Sequence, residues 1–249
     1  MKKKILALCL VVALLATAIV GATLAYFTDT DEALNTFTVG NVNIDLTEPD
    51  WNPQKNHLQP GVEIPKDPTI TVETGSDDCW LFMEVEMNKF NSWLRLVGIQ
   101  NDLMTYECTG AQACKEHGHC QGHFDEAKFD AFFASGAFRA AFDEWFSEIK
   151  HEEWEIMNLN DVLASIKKSW TDSSIKTINP IFGYKTTQSA GDSVTLFTAV
   201  HMPENVTSEE LAHSRFNTTE TQWKLNLKAY AIQAAELNTL AEAYEALFD

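Results

Sequence analysis

Basic residues are scarce in this chain: 18 lysines and arginines stand against 36 aspartates and glutamates, a formal net charge of −18 over 249 residues. That balance argues against nucleic acid as a partner, because such binding rests on neutralising phosphates with Lys and Arg. It suits solubility and mutual repulsion of subunits, and leaves room for divalent-cation binding or salt-dependent assembly. Proline is sparse too, with 7 residues. Pro49, Pro53, Pro60, Pro65 and Pro68 crowd into one loop, residues 48 to 68, which leaves most of the chain free to form regular elements. No His-Glu-x-x-His, Gly-x-Ser-x-Gly or phosphate-binding glycine loop occurs, so the commonest sequence marks of a zinc protease, a serine hydrolase and a nucleotide-binding enzyme are missing. The nearest approach to the first, His151-Glu152-Glu153, has Glu155 where the second histidine belongs, and His151 is expected to be a solvated helix-end residue.

The one long apolar run is at the N-terminus. Lys2, Lys3 and Lys4 precede Ile5 to Val20, and small residues at Thr23 and Ala25 follow. This pattern predicts a signal peptide over residues 1–25, cut between Ala25 and Tyr26. An uncleaved anchor is the other reading, since Ile5 to Ala25 approaches a bilayer span. The three lysines before the run and the acids Asp29, Asp31 and Glu32 after it place the remainder outside the cytoplasm either way. Those acids are read as a solvated turn in preference to a calcium site. Loss of the leader takes the formal charge from −18 to −21 by removing three lysines. With 45% hydrophobic residues the remainder is expected to fold, and the membrane is expected to be met only through the leader before cleavage.

Alternation of apolar and polar residues predicts strands. Phe37 to Leu46 reads as one strand whose phase changes at Gly40, as at a β-bulge. Thr69 to Glu73 reads as a second. Cys79 to Met87 is a third, continuously apolar at its start and alternating at its end. Ser193 to Val200 and Trp223 to Ala231 follow the same pattern. Between the third strand and these two, residues 88 to 170 change character. Phe138, Phe142, Trp145 and Ile149 recur at helical spacing, and Asn160-Asp161 offers a cap ahead of Val162. The aromatic series Phe129, Phe132, Phe133, Phe138, Phe142, Trp145 and Phe146 is read as core. A short helix capped at Ser208 and a C-terminal helix carrying Leu237, Leu240, Tyr244 and Leu247 complete the reading. The expected fold class is mainly β, an antiparallel sandwich with a largely helical insertion at about 88–170 and a C-terminal helix, all within one unit, residues 26–249.

Several blocks resemble one family. Tyr26-Phe27-Thr28-Asp29, then Phe37-x-x-Gly40-x-x-x-Ile44-x-Leu46, look like the start of TasA and camelysin-type proteins. Leu58-Gln59-Pro60-Gly61, Asp67-Pro68, Thr74-Gly75-Ser76-Asp77 and the strand from Cys79 to Val85 look like its next blocks. Phe182-Gly183-Tyr184, Leu196 to Val200 and Leu227 to Ala234 resemble its later ones. The resemblance implies a jelly-roll-like sandwich, export through a SipW-type signal peptidase, and an extracellular or cell-surface location. For TasA-type members it implies a structural role in fibres of the biofilm matrix, as a homopolymer or with a co-subunit. The freed N-terminal segment would be donated as a strand to the next subunit, with Tyr26, Phe27, Leu34, Phe37 and Val39 as the assembly residues. Physics allows the same idea, because an open sheet edge invites strand addition and a head-to-tail addition does not close. The alternative is an N-terminus that is frayed or paired with its own sheet. For camelysin-type relatives the resemblance implies a secreted metalloprotease, and a monomeric surface binding module is a third reading.

The most reactive stretch has no counterpart in that resemblance: Cys108, Cys114, His117, His119, Cys120 and His123. With Cys79 these residues suit either disulfides, which an exported protein favours, or a structural zinc. Their spacing is not that of a standard zinc finger. No catalytic residue and no further cofactor is expected from the sequence.

Overall fold

The computed structural model describes residues 35–51, 60–87, 90–107, 121–147, 149–171, 177–207, 210–211, 214 and 225–248. Cys79–Met87 (β5) is the spine of the fold. It pairs antiparallel along its whole length with Leu225–Gln233 (β13), from Met87 opposite Leu225 to Cys79 opposite Gln233. Asn35–Val39 (β1) runs parallel on the far side of β13, while Ile181–Tyr184 (β10) and then Trp154–Ile156 (β9) continue antiparallel from β5. The five-stranded order is therefore β1-β13-β5-β10-β9. Two three-stranded sheets accompany it. One places Thr69–Val72 (β4) between Ile44–Thr47 (β2) and Ser193–Thr195 (β11). The other places Ala199–His201 (β12) between Glu63–Pro65 (β3) and Phe146–Ser147 (β8).

The continuous apolar start of β5 has a direct explanation, because its two faces serve two cores. Leu81, Met83 and Val85 pack with Val42, Ile44, Leu46, Ile70, Val72 and Val194 of the β2-β4-β11 sheet and its approach. Trp80 and Phe82 face the other way, into a second cluster with Ile232 and the helix Leu240–Phe248 (α5). Only beyond Met83 does the outer face turn polar, at Glu84 and Glu86. The protein is mainly β with a C-terminal helix, as the alternation indicates. It departs from an all-antiparallel arrangement at the β1–β13 pair.

Four expectations change in detail. Phe37 to Leu46 is not one bulged strand. At Gly40 the chain leaves the five-stranded sheet and enters the β2 sheet, and the phase change marks that crossing. Gly40 has φ +95°, and a Cβ there would lie 2.6 Å from the Gln233 side-chain oxygen, so glycine is required twice over. Ser193 to Val200 likewise divides into β11 and β12, which lie in different sheets. Helical spacing from Phe138 to Ile149 is interrupted. The helix Ala137–Asp143 (α3) stops, and Phe146 then enters β8. The helix expected to be capped at Asn160-Asp161 starts earlier, as Leu159–Thr171 (α4). Asn158 braces its approach, donating to the Asn179 carbonyl at 2.8 Å and accepting from the Ile181 N–H at 2.9 Å.

The stretch after β5 carries the helices Phe90–Gln100 (α1), Glu126–Ala134 (α2), α3 and α4. It also carries a hairpin of Met104–Glu107 (β6) and Gln121–Phe124 (β7), together with β8 and β9. Because β8 bonds to β12 and β9 to β10, this stretch is stitched into the sheets on both sides. Its aromatic residues are core as expected. Phe129, Phe142, Trp145 and Phe146 are buried, with Phe132 and Phe133 packed against them. Lys167 on α4 ties α2 down through Asp130 at 2.7 Å and Glu126 at 3.1 Å.

Candidate functional site

The sheet edge at β1 is the feature with the clearest capacity to act on another molecule. Its sequence, Asn-Thr-Phe-Thr-Val, has no charge and no proline, the residues by which edge strands ordinarily discourage further pairing. One side bonds to β13, in the register Phe37 to Tyr230 and Val39 to Ile232. Among the described residues no strand bonds to its other side. A parallel pair of five residues is a weak hold by itself.

Side chains supply the rest. The Phe37 ring stacks on Tyr230, with centroids 5.1 Å apart and planes at 18°. Val39 packs against the cluster formed by Trp80, Phe82 and Ile232. The Tyr230 hydroxyl donates to Glu84 Oε2 at 2.7 Å, and Asn179 Nδ2 donates to Glu84 Oε1 at 2.7 Å. Lys228, on the same face of β13, stands 3.5 Å from Glu84 and 3.2 Å from Glu86. Burial, reinforced by the hydrogen bond to Glu84 and the charge of that carboxylate, pushes the Tyr230 phenol far above its ordinary value. Burial works to lower the Lys228 ammonium, but Glu84 and Glu86 outweigh it and hold its pKa above the usual lysine range. Tyr230 stays neutral and Lys228 stays charged at physiological pH, so this face is a fixed polar brace beside the edge and has no proton to exchange.

Phe37 and Val39, two of the five assembly residues, thus sit in the chain's own five-stranded sheet. Tyr26, Phe27 and Leu34, and the cleavage position between Ala25 and Tyr26, lie outside the described residues, as do Cys108, Cys114, His117, His119 and Cys120. His123 falls in β7, opposite Thr105 of β6. Cys79 is a free, buried thiol at the start of β5. Burial, together with Asp78 and Asp192, pushes the Cys79 thiol up to about 12. In the absence of a metal ion it is therefore protonated at neutral pH. Among the described residues no three His, Cys, Asp or Glu side chains are placed to hold a metal ion.

Two histidines have a carboxylate or a hydroxyl as an immediate neighbour. His151 is not the solvated residue expected from sequence. It is half-buried in a turn, with Nε2 2.7 Å from Asp143 Oδ1 and with Nδ1 buried without a hydrogen-bond partner. His201 Nδ1 lies 3.3 Å from Ser147 Oγ, which also donates to Glu63 Oε2 at 3.1 Å. Here the serine contacts both other groups, whereas activation of a serine nucleophile needs the imidazole between serine and acid.

Sequence reasoning missed Tyr230, Phe248 and Glu84. Alternation put Tyr230 in a strand, but only the register shows that Phe37 and Glu84 share its face.

The fold and this edge define a mainly β protein with helices between its strands, an acidic composition and, at β1, an uncharged strand with no partner on one side among the described residues. Residues 1–88 match the family model described as camelysin metallo-endopeptidase, in line with the resemblance of the N-terminal blocks to that family. This is a family of secreted and cell-surface proteins. Among the described residues no helix is long and apolar enough to cross a membrane. No curated protein and no solved structure is detectably similar to the chain.

Proposed function

We propose that this is a secreted structural protein of the extracellular or biofilm matrix, which assembles into fibres by strand addition at its N-terminal end. The observation that carries the reading is β1, an uncharged, proline-free strand bonded on one side among the described residues. It directly follows the segment that signal cleavage at Ala25 would free. A strand added at such an edge gains a ladder of main-chain hydrogen bonds without needing a preformed pocket. The addition joins unlike surfaces, so it propagates. The partners are then a SipW-type signal peptidase during export, and afterwards a second copy of the chain or a matrix co-subunit. Electron microscopy of the chain beginning at Tyr26, beside the same chain lacking residues 26–34, tests this. Fibres from the first and none from the second are expected. Monomers from both at every salt concentration would end the proposal.

The family description favours a second reading, a camelysin-like surface metalloprotease. Its metal would have to come from His117, His119, His123 and the cysteines near them. Casein cleavage that is lost with a chelator and in His119→Ala would establish that reading over the first.

A further inference from the structure

We infer that α5 is a latch that holds β1 in its own sheet, and that loosening α5 releases the edge strand. The consequence for assembly rests on the proposed role of β1, while the latch itself rests on the contacts around Tyr230. That ring is clasped from two sides. Phe37 of β1 stacks on it at 5.1 Å, and Phe248 of α5 meets it edge-on at 5.0 Å and 70°. Phe248 also abuts Phe82 at 5.7 Å and Tyr244 at 4.9 Å. Val39 of β1 and Leu247 of α5 pack against the same cluster. The edge strand and the helix therefore share one small aromatic core on the outer face of the sheet.

A helix of nine residues is too short to persist alone in water. Its existence depends on docking. Leu240 is seated over Gly183, where a Cβ would come within 2.9 Å of it. Ala243 is fully buried, and Trp80 Nε1 donates to the Leu237 carbonyl at 3.2 Å, fixing the chain just ahead of the helix. Thr239 and Glu242 form a capping box: the Glu242 N–H donates to Thr239 Oγ1 at 3.2 Å, and the Thr239 N–H to Glu242 Oε2 at 3.1 Å. Undocking is therefore cooperative. When the helix leaves, the Phe248 side of Tyr230 opens to water, and β1 keeps its hydrogen bonds to β13, the Phe37 stack and the Val39 contact with the sheet, without the helix that covers them. β5 and β13 keep their nine-residue pairing and the main core beneath.

Hydrogen exchange followed by mass spectrometry tests the latch in the chain beginning at Tyr26. In Phe248→Ala, amides of residues 35–39 are expected to exchange about five-fold faster, the effect of losing one aromatic contact on local opening. Amides of 79–87 should be unchanged. Tyr230→Phe keeps both ring contacts and should leave residues 35–39 close to the wild-type rate. Unchanged exchange at 35–39 in Phe248→Ala, or an equal rise at 79–87, would overturn the latch. Fibre growth in the same samples reads the other premise. Faster exchange with slower growth supports both, because β1 must lie in its sheet to offer its edge, whereas faster exchange with unaltered or faster growth leaves the latch standing and removes the β1 edge from assembly.

Discussion

Replacing Gly183 with alanine tests how closely α5 is fitted to the sheet. A Cβ at this position would lie 2.9 Å and 3.1 Å from the two Leu240 methyl carbons and 3.0 Å from Met157 Sδ. Real Cβ atoms do not approach so closely, so something must move. The obstructing atoms are all ends of flexible side chains, which sets the cost at that of ordinary overpacking, about 1–3 kcal/mol. Leu240→Ala alone removes a half-buried side chain and should cost about 2 kcal/mol, the low end for such a truncation. Together the two changes should cost less than their sum, because the alanine at 240 vacates the space that the alanine at 183 requires. A coupling of about 1–2 kcal/mol is expected from denaturant unfolding of the four proteins in a double-mutant cycle. Additivity within about 0.5 kcal/mol, or a Gly183→Ala protein as stable as the parent, would refute the close seating of α5.

Three further outcomes follow from the same coordinates. Lys66 is buried, paired with Glu48, and sits 4.4 Å from the Trp51 ring centroid. Glu48→Gln leaves its charge unpaired and should cost about 3–5 kcal/mol by denaturant unfolding, whereas the double change Glu48→Leu with Lys66→Met, which removes both charges, should cost clearly less. The folded-state pKa of Cys79 is raised from 9.0 to about 12. Its contribution to stability is therefore complete below pH 9 and is lost as pH climbs toward 12. Peptide mapping after alkylation at pH 8 should find Cys79 unmodified until the protein is unfolded, and native-state labelling would contradict its burial. Tyr230→Phe deletes one of the bonds that satisfy Glu84 and should cost about 1 kcal/mol, with no loss of the ring stack. A cost above about 3 kcal/mol would mean that the hydroxyl, more than the ring, carries that residue.

Residues 79 to 87 were legible in the sequence with their bounds, their faces and their change from continuous to alternating burial. The C-terminal helix was legible from Leu240, Tyr244 and Leu247. Local pattern failed wherever a tertiary event had the signature of a local one. A crossing between sheets at Gly40 and a bulge at Gly40 both shift the alternation by one residue, and only long-range pairing tells them apart. The same holds at Phe197 and Thr198, where one apolar series serves two sheets. Trp145 and Phe146 kept a helical spacing although the helix had ended, because both ends of that turn face one core. The edge character of β1 was suggested by its position after the leader, but its parallel partner was not, since β13 lies almost two hundred residues further on. The Tyr230 clasp joins residues from β1, β13 and α5, so no spacing in the chain announces it.

The account depends most directly on the edge of β1 being the surface on which copies add. Sedimentation velocity of Thr38→Lys, in the chain beginning at Tyr26, measures this. The charge guards the edge. The account predicts a fall in the polymer fraction with an unchanged monomer fold by circular dichroism. A polymer fraction equal to that of the parent would contradict it.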